Sequence, residues 1–180
     1  MSKYLLFPLI VGTLLFSGCG KEEEEGEYVI TEADMVGTWN VDVFESTYNV
    51  SGIFLGSDVD DDGTSSISNS ALRVQLLEDG SWISSGDYSL TVTTESESET
   101  TEQVGIGEGN WSFRRDTLFL DGMINHGGNG RFETPQECTI TSFTKDRELG
   151  LKTRIDQTDS NADYGITLRT RADWNILLVR

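Results

Sequence analysis

Leu72-Arg73-Val74-Gln75-Leu76-Leu77-Glu78-Asp79-Gly80-Ser81-Trp82-Ile83 is the stretch that decides how this chain folds. Leu72, Val74 and Leu76 alternate with Arg73 and Gln75, so an extended backbone puts apolar groups on one side and polar groups on the other. Glu78-Asp79-Gly80 then makes a hairpin turn whose glycine accepts positive φ, and Trp82 or Ile83 starts the returning strand. A two-residue period folded back by a tight turn predicts antiparallel sheet with one wet face.

The period extends in both directions. Upstream, Trp39, Val41 and Val43 point one way and Asn40 and Asp42 the other. Downstream, Tyr88, Leu90 and Val92 form a strand, and Val104, Ile106, Trp111 and Phe113 continue the alternation through Gly105-Ile106-Gly107-Glu108-Gly109. That glycine-rich patch has the composition of a phosphate loop, but no helix signal follows it. It predicts a bulge or sharp bend instead. Leu118 with Leu120 follow the Arg115-Asp116 turn, residues 121–131 read as a loop, and Cys138 with Ile140 lead to the turn Lys145–Glu148. Leu149 with Leu151, a polar loop at 156–163, then Tyr164, Ile166 and Leu168, and finally Trp174, Ile176 and Leu178 complete the series. Such closely spaced short strands, roughly 8–12 residues apart, are expected of a sandwich or barrel. The one helical signal is Thr31-Glu32-Ala33-Asp34, an N-cap threonine with an acid three positions on, which a single turn satisfies.

The chain has 180 residues with 13 Lys and Arg against 31 Asp and Glu, a net charge of −18. A surface so acidic repels nucleic acid, which excludes a DNA- or RNA-binding role. Residues 31–180 suffice for one domain with a real core. Only two cysteines occur, Cys19 and Cys138. The strand context of Cys138 predicts a small buried hydrophobe. His126, the sole histidine, lies twelve residues upstream in the glycine-rich 121–131 segment, and no catalytic pair with Cys138 is expected. Neither a nucleophile–base pair nor a zinc cluster is legible, so the expectation is a protein that is not an enzyme.

Lys3, the apolar run Tyr4–Phe16, Ser17-Gly18 and Cys19 follow the charged, apolar, small-residue order of a secretory leader. Ending on a cysteine, the stretch resembles the bacterial lipobox, with Phe16 where leucine is usual. The resemblance implies a signal peptide at 1–18, lipidation of Cys19 and attachment to a membrane. The run from Tyr4 is too short for the roughly 20 residues of a spanning helix. Lys21 and the glutamates Glu22–Glu25 come next, within a tether at 19–30, where self-repelling charge predicts disorder. An acidic run directly after a lipidated cysteine resembles an export signal for lipoproteins of the cell surface, which implies an outer-membrane anchor facing the exterior.

Gly37-Thr38-Trp39 resembles the lipocalin G-x-W signature. Glu78-Asp79-Gly80-Ser81-Trp82, Gly109-Asn110-Trp111-Ser112-Phe113 followed by Asp116-Thr117-Leu118, and Thr139–Asp146 ending in Leu149-Gly150-Leu151-Lys152 resemble hairpins of bacterial lipocalin-like domains. Together they cover about residues 35–152. The resemblance implies an all-β, small antiparallel up-and-down barrel of the calycin type, closed at one end by Gly37 and Trp39. It also implies an arginine stacked on Trp39, for which Arg169, Arg171 and Arg180 are the candidates, and a binding role for a small hydrophobic molecule. Tyr88, Trp111 and Phe113 are the expected lining. The second lipocalin signature is echoed only by Ala162-Asp163-Tyr164, late in the chain. A packed barrel without a cavity, an interaction module of the envelope, is the competing reading.

Ser57–Thr64 carries Asp58, Asp60 and Asp62 with Gly63 behind them, the front half of an EF-hand-type loop. Those spacings would offer three carboxylates and the Thr64 carbonyl to Ca²⁺, with Asn69 where the bidentate glutamate belongs. The alternative is a solvated acidic turn. Glu95–Glu102, acidic at alternate positions, reads as an exposed loop.

Overall fold

The computed structural model describes residues 28–124, 132 and 134–180. One turn of helix, α1 (Glu32–Met35), precedes eleven strands. These are β1 (Gly37–Phe54), β2 (Ser57–Ser68), β3 (Arg73–Leu76), β4 (Ser81–Ser85), β5 (Asp87–Thr94) and β6 (Ser98–Val104). They continue as β7 (Glu108–Arg114), β8 (Thr117–Leu120), β9 (Gln136–Thr144), β10 (Glu148–Asn161) and β11 (Ile166–Val179).

The eleven strands make eight staves. β1 pairs with β3 through Gly37–Asn40 and with β2 through Glu45–Phe54, so β2 and β3 are halves of one bent stave. β4 with β5, and β6 with β7, are bent in the same way, as shown by β4 lying on β3 and β7 while β5 lies on β2 and β6. β8, β9, β10 and β11 follow in order, and β11 returns to β1 from Asn40↔Val179 to Ile53↔Thr167. The result is a closed, eight-stave antiparallel meander, as the sequence predicts. Gly105 and Gly107 take φ of 61° and 133° at the break between β6 and β7, the expected bend.

Three loops read from the sequence are strands instead. Residues 57–64 belong to β2, Ser98 onward to β6, and 156–161 to β10. Cross-strand pairing overrides the composition of each segment, because a neighbour on a closed sheet satisfies backbone groups whatever the side chains favour.

The staves are unequal. β8 has four residues, and β9 reaches only to the Cys138↔Thr153 pair of β10. Above that level β6 pairs only with β5 and Arg154–Asn161 of β10 only with β11, among the described residues. The lower half is therefore a complete barrel and the upper half a curved wall of six staves.

Burial follows this division. Trp39, Leu72, Leu76, Trp82, Leu118 and Leu149 are enclosed in the lower half. Phe44 and Phe132 meet Trp174 edge-on, at centroid distances of 4.8 and 6.3 Å. Three of the buried indole N–H groups donate to backbone carbonyls: Trp39 to Met35 at 2.8 Å, Trp82 to Asp121 at 2.7 Å, Trp111 to Leu77 at 2.9 Å.

Candidate functional site: the open mouth of the barrel

The closed end is a lock around Trp39. Arg180 lies over its ring with Cζ 3.9 Å from the centroid, which selects Arg180 from the three candidate arginines. The guanidinium also donates to Asp146 Oδ1 at 3.0 Å and to the Val36 carbonyl at 2.5 Å. Gly37, at φ 132°, leaves it room: a Cβ there would stand 2.9 Å from Arg180 Nη2. Beside it, Asp34 accepts from the Thr31 hydroxyl, the Thr31 N–H and the Tyr28 hydroxyl at 2.7–2.8 Å, and pairs with Lys145 Nζ at 3.2 Å. The Thr31 hydroxyl above all, then Tyr28, the Thr31 N–H and Lys145, hold its carboxyl far below the usual carboxylate range against the opposing effect of burial. This end fastens the start of β1 to the β9–β10 turn.

The opposite end is open, and the pairing registers give its inner face. Directly opposed residues share a side of the sheet. From Trp39 and Val41 the inner face of β1 passes a bulge and continues through Phe44, Ser46, Tyr48 and Val50. Its partners on β2 are Ser65, Gly63 and Asp61, and on β11 Trp174, Ala172 and Thr170. Beyond them come Val92 and Glu99 on one side and Thr153, Ile155, Gln157 and Asp159 on the other.

Burial fades upward along these faces. On β10, Leu149, Leu151, Thr153 and Ile155 are buried, Gln157 is half-buried and Asp159 is exposed. On β11 the order runs from buried Leu178, Ile176, Trp174 and Ala172 to half-buried Thr170, Leu168 and Ile166. A packed floor thus carries a mouth lined by both apolar and hydrogen-bonding side chains. Tyr48 lies across β2, where a Cβ on Gly63 would run into its ring. Burial, then the Asp61 carboxylate, raises its phenol pKa.

At the floor, Thr153 faces inward at 2 % exposure, and its hydroxyl has no hydrogen-bond partner of proper geometry among the described residues. Cys138 is opposite. Burial pushes its thiol up to about 12, and the Thr153 hydroxyl offsets only part of that, so it is a core residue without thiolate chemistry.

Tyr88 and Trp111, expected to line a ligand, are enclosed by the core at 0 and 5 % exposure, and Phe113 is half-buried against it. Tyr88 is desolvated enough to push its phenol up to about 12. Tyr48, Val50, Val92 and Leu168 lie above them on the inner face and are half-buried. Sequence reading misses these four because the staves bend, and only the register shows that β2 and β5 continue the inner face of β3 and β4.

The acidic run read as a calcium-type loop lies in strand β2. Asp58, Asp60 and Asp62 stand on the outer face of a strand, successive acids about 6.6 Å apart, rather than converging. Asn49 Nδ2 donates to Asp60 at 2.9 Å and to Asp62 at 3.1 Å, and Thr64 stands between Thr47 and Thr93. Among the described residues no three His, Cys, Asp or Glu side chains are grouped to hold a metal ion. Cys19 and His126 lie outside the described residues. Among the described residues no helix is long and apolar enough to cross a membrane.

No model of a known protein family matches this chain, and no curated protein is similar to it.

Proposed function

We propose that this protein is a calycin-type binding lipoprotein, held by a lipidated Cys19 on the outer membrane and facing the exterior, that takes a small amphipathic molecule in the mouth of its barrel. The observation that carries this reading is the gradient on the inner face: a buried floor, then half-buried apolar and polar side chains above it. Eight-stave barrels hold small ligands in this position.

The first described residue lies at the end opposite the mouth. Tyr28 sits at the closed end, stacked on Phe143 at 5.9 Å. The residues between Cys19 and Tyr28 span at most about 30 Å when extended, whereas the 18 residues of β1 run for about 60 Å. A tether that short cannot bring the mouth down onto the anchoring membrane with the barrel inverted, so the mouth faces away from it or sideways.

A second reading, an envelope interaction module without a ligand, is favoured by the solid packing of the lower half. Titrating tryptophan fluorescence with a broad panel of lipophiles separates the two, since Trp174 forms part of the floor. A saturable change supports the binding barrel; silence across the panel supports the module. Intact-mass measurement of membrane fractions tests the anchor: the expected product begins at a diacylated Cys19, and Cys19→Ala is expected in the soluble fraction. An unmodified Cys19 in the native protein overturns the lipoprotein assignment.

A further inference from the structure

Past the Gly63↔Thr94 pair β2 is bonded only to β1, and past Cys138↔Thr153 β10 is bonded only to β11, among the described residues. The hairpins β1–β2 and β10–β11 therefore project beyond the rest of the wall as a four-stave blade. On β2 the projecting part is Ser57–Asp62, which carries the tip about 20 Å beyond β5. Ile53↔Thr167 is the last pair between β1 and β11, so the two turns end at one level. Four of the eight large apolar side chains left exposed among the described residues stand there: Ile53, Phe54 and Leu55 on one hairpin, Tyr164 on the other. The tip is thus the main apolar feature of an otherwise acidic surface. Leu55 shares its two-residue turn with Gly56, at φ of 50° and 84°, a conformation in which asparagine fits and leucine is strained. Because it is exposed, no packing contact explains it. Folding stability is not what places a leucine at that corner.

We propose that this tip dips into the bilayer to which the chain is tethered, so that the barrel lies tilted with its mouth against the lipid. The proposal rests on the lipidated Cys19 of the preceding reading and adds the orientation of the barrel. Ile53 continues the outer face of β1 and Phe54 the inner face, while Leu55 and Tyr164 belong to the turns. Apolar groups on every side suit immersion, whereas a docked protein covers one side. The four side chains offer a few hundred Å², well short of the roughly 800 Å² that each partner gives to a stable protein interface. A second copy held by this tip alone would not persist. The tether keeps the closed end within about 30 Å of the membrane, and the tip lies about 60 Å from that end along β1. Tilting the barrel toward the membrane plane therefore brings the tip to the surface with the tether still in reach. A weak patch then suffices, because partition is intramolecular. Residues Ile53–Ser57 carry no charge, while Asp58 and Asp163 beside them keep the immersion shallow. The net charge of −18 repels anionic headgroups, so the lipid it enters is uncharged. The mouth then opens at the lipid surface, where an apolar guest reaches it without crossing water.

The test puts a tryptophan at the tip and a quencher in the lipid. Mature protein carrying Leu55→Trp is reconstituted in vesicles of phosphatidylcholine brominated near the top of its acyl chains, and the four native tryptophans, all buried, supply a constant background. The added emission is expected to fall about twofold or more, as for a group roughly 5–10 Å deep in the interface. Ile83→Trp, an exposed site in the lower half, is expected to stay unquenched. Replacing half of the lipid by brominated phosphatidylglycerol is expected to weaken the quenching at the tip. A second reporter, Tyr164→Trp, is measured with and without Leu55→Asn. Adding Leu55→Asn is expected to reduce its quenching about twofold or more while the melting midpoint rises. Damage to the fold would lower both. Flotation of the same vesicles reads the anchor separately. Protein that floats without quenching at the tip overturns the proposal and leaves the lipidated Cys19 standing, whereas protein that does not float overturns both. Stronger quenching in phosphatidylglycerol overturns the choice of an uncharged lipid. A dimeric mass in light scattering that Leu55→Asn abolishes assigns the tip to a second copy and overturns the proposal.

Discussion

Arg180 shows how much one side chain can join. It covers the Trp39 ring, donates to the Val36 carbonyl and pairs with Asp146, which ties the start of β1 to the β9–β10 turn. Arg180→Ala is expected to lower unfolding free energy by about 2 kcal/mol in urea denaturation, the magnitude of a desolvated cation–π contact. Arg180→Lys should recover less than half, because an ammonium cannot stack flat and donate in two directions. Leu55 illustrates the opposite case. It occupies φ 50° in the two-residue turn before Gly56, a conformation suited to Asn or Gly, and is 63 % exposed. Leu55→Asn is expected to raise stability by about 1 kcal/mol, because the short polar side chain of asparagine tolerates the left-handed region that leucine resists, read as a higher melting midpoint. Trp39 and Gly37 were legible in sequence because G-x-W is local. The choice of Arg180 over Arg169 and Arg171 was not, since β11 carries all of that region and its facing is set by pairing.

Among the elements, α1 and its approach form the most pH-sensitive unit. Asp34 is buried yet ionised because hydroxyls, an N–H and Lys145 surround it, the Thr31 hydroxyl contributing most. A carboxyl whose folded pKa is depressed contributes stability that is present above the ordinary carboxylate pKa, about 3.9, and is lost as pH falls through the folded value. Asp34→Asn is therefore expected to lower the melting midpoint at pH 7, with the gap to wild type narrowing as the pH is taken from 4 toward 2. A gap independent of pH would remove Asp34 from that role. β2 makes a different point at this scale. Its acids at 58, 60 and 62 have the spacing of a cation loop, and the same spacing on a strand places them side by side on the outer face. Only Asp61, the residue the loop reading skips, faces inward.

The molecule as a whole is half sealed barrel and half open wall, and its dynamics should divide accordingly. Native-state hydrogen exchange is expected to show the amides of β3, β8 and the lower part of β10 opening only with global unfolding. Those of β6 and residues 154–161, each paired on one side among the described residues, should exchange roughly tenfold faster or more. Uniform protection over both halves would contradict that division. The sequence by itself determined the hairpin turns and the alternating strands, though not β2, β6 or the upper part of β10, because a two-residue period and glycine turns act over a few residues and need no distant partner. It also determined the plugged end, because Gly37 and Trp39 are neighbours in the chain. Only the tertiary structure decided that eleven strands merge into eight staves, that two staves stop short, and which alternate acids face the mouth. Those outcomes depend on pairing between segments as far apart as Val41 and Leu178, where a bulge of one residue changes which side chains meet.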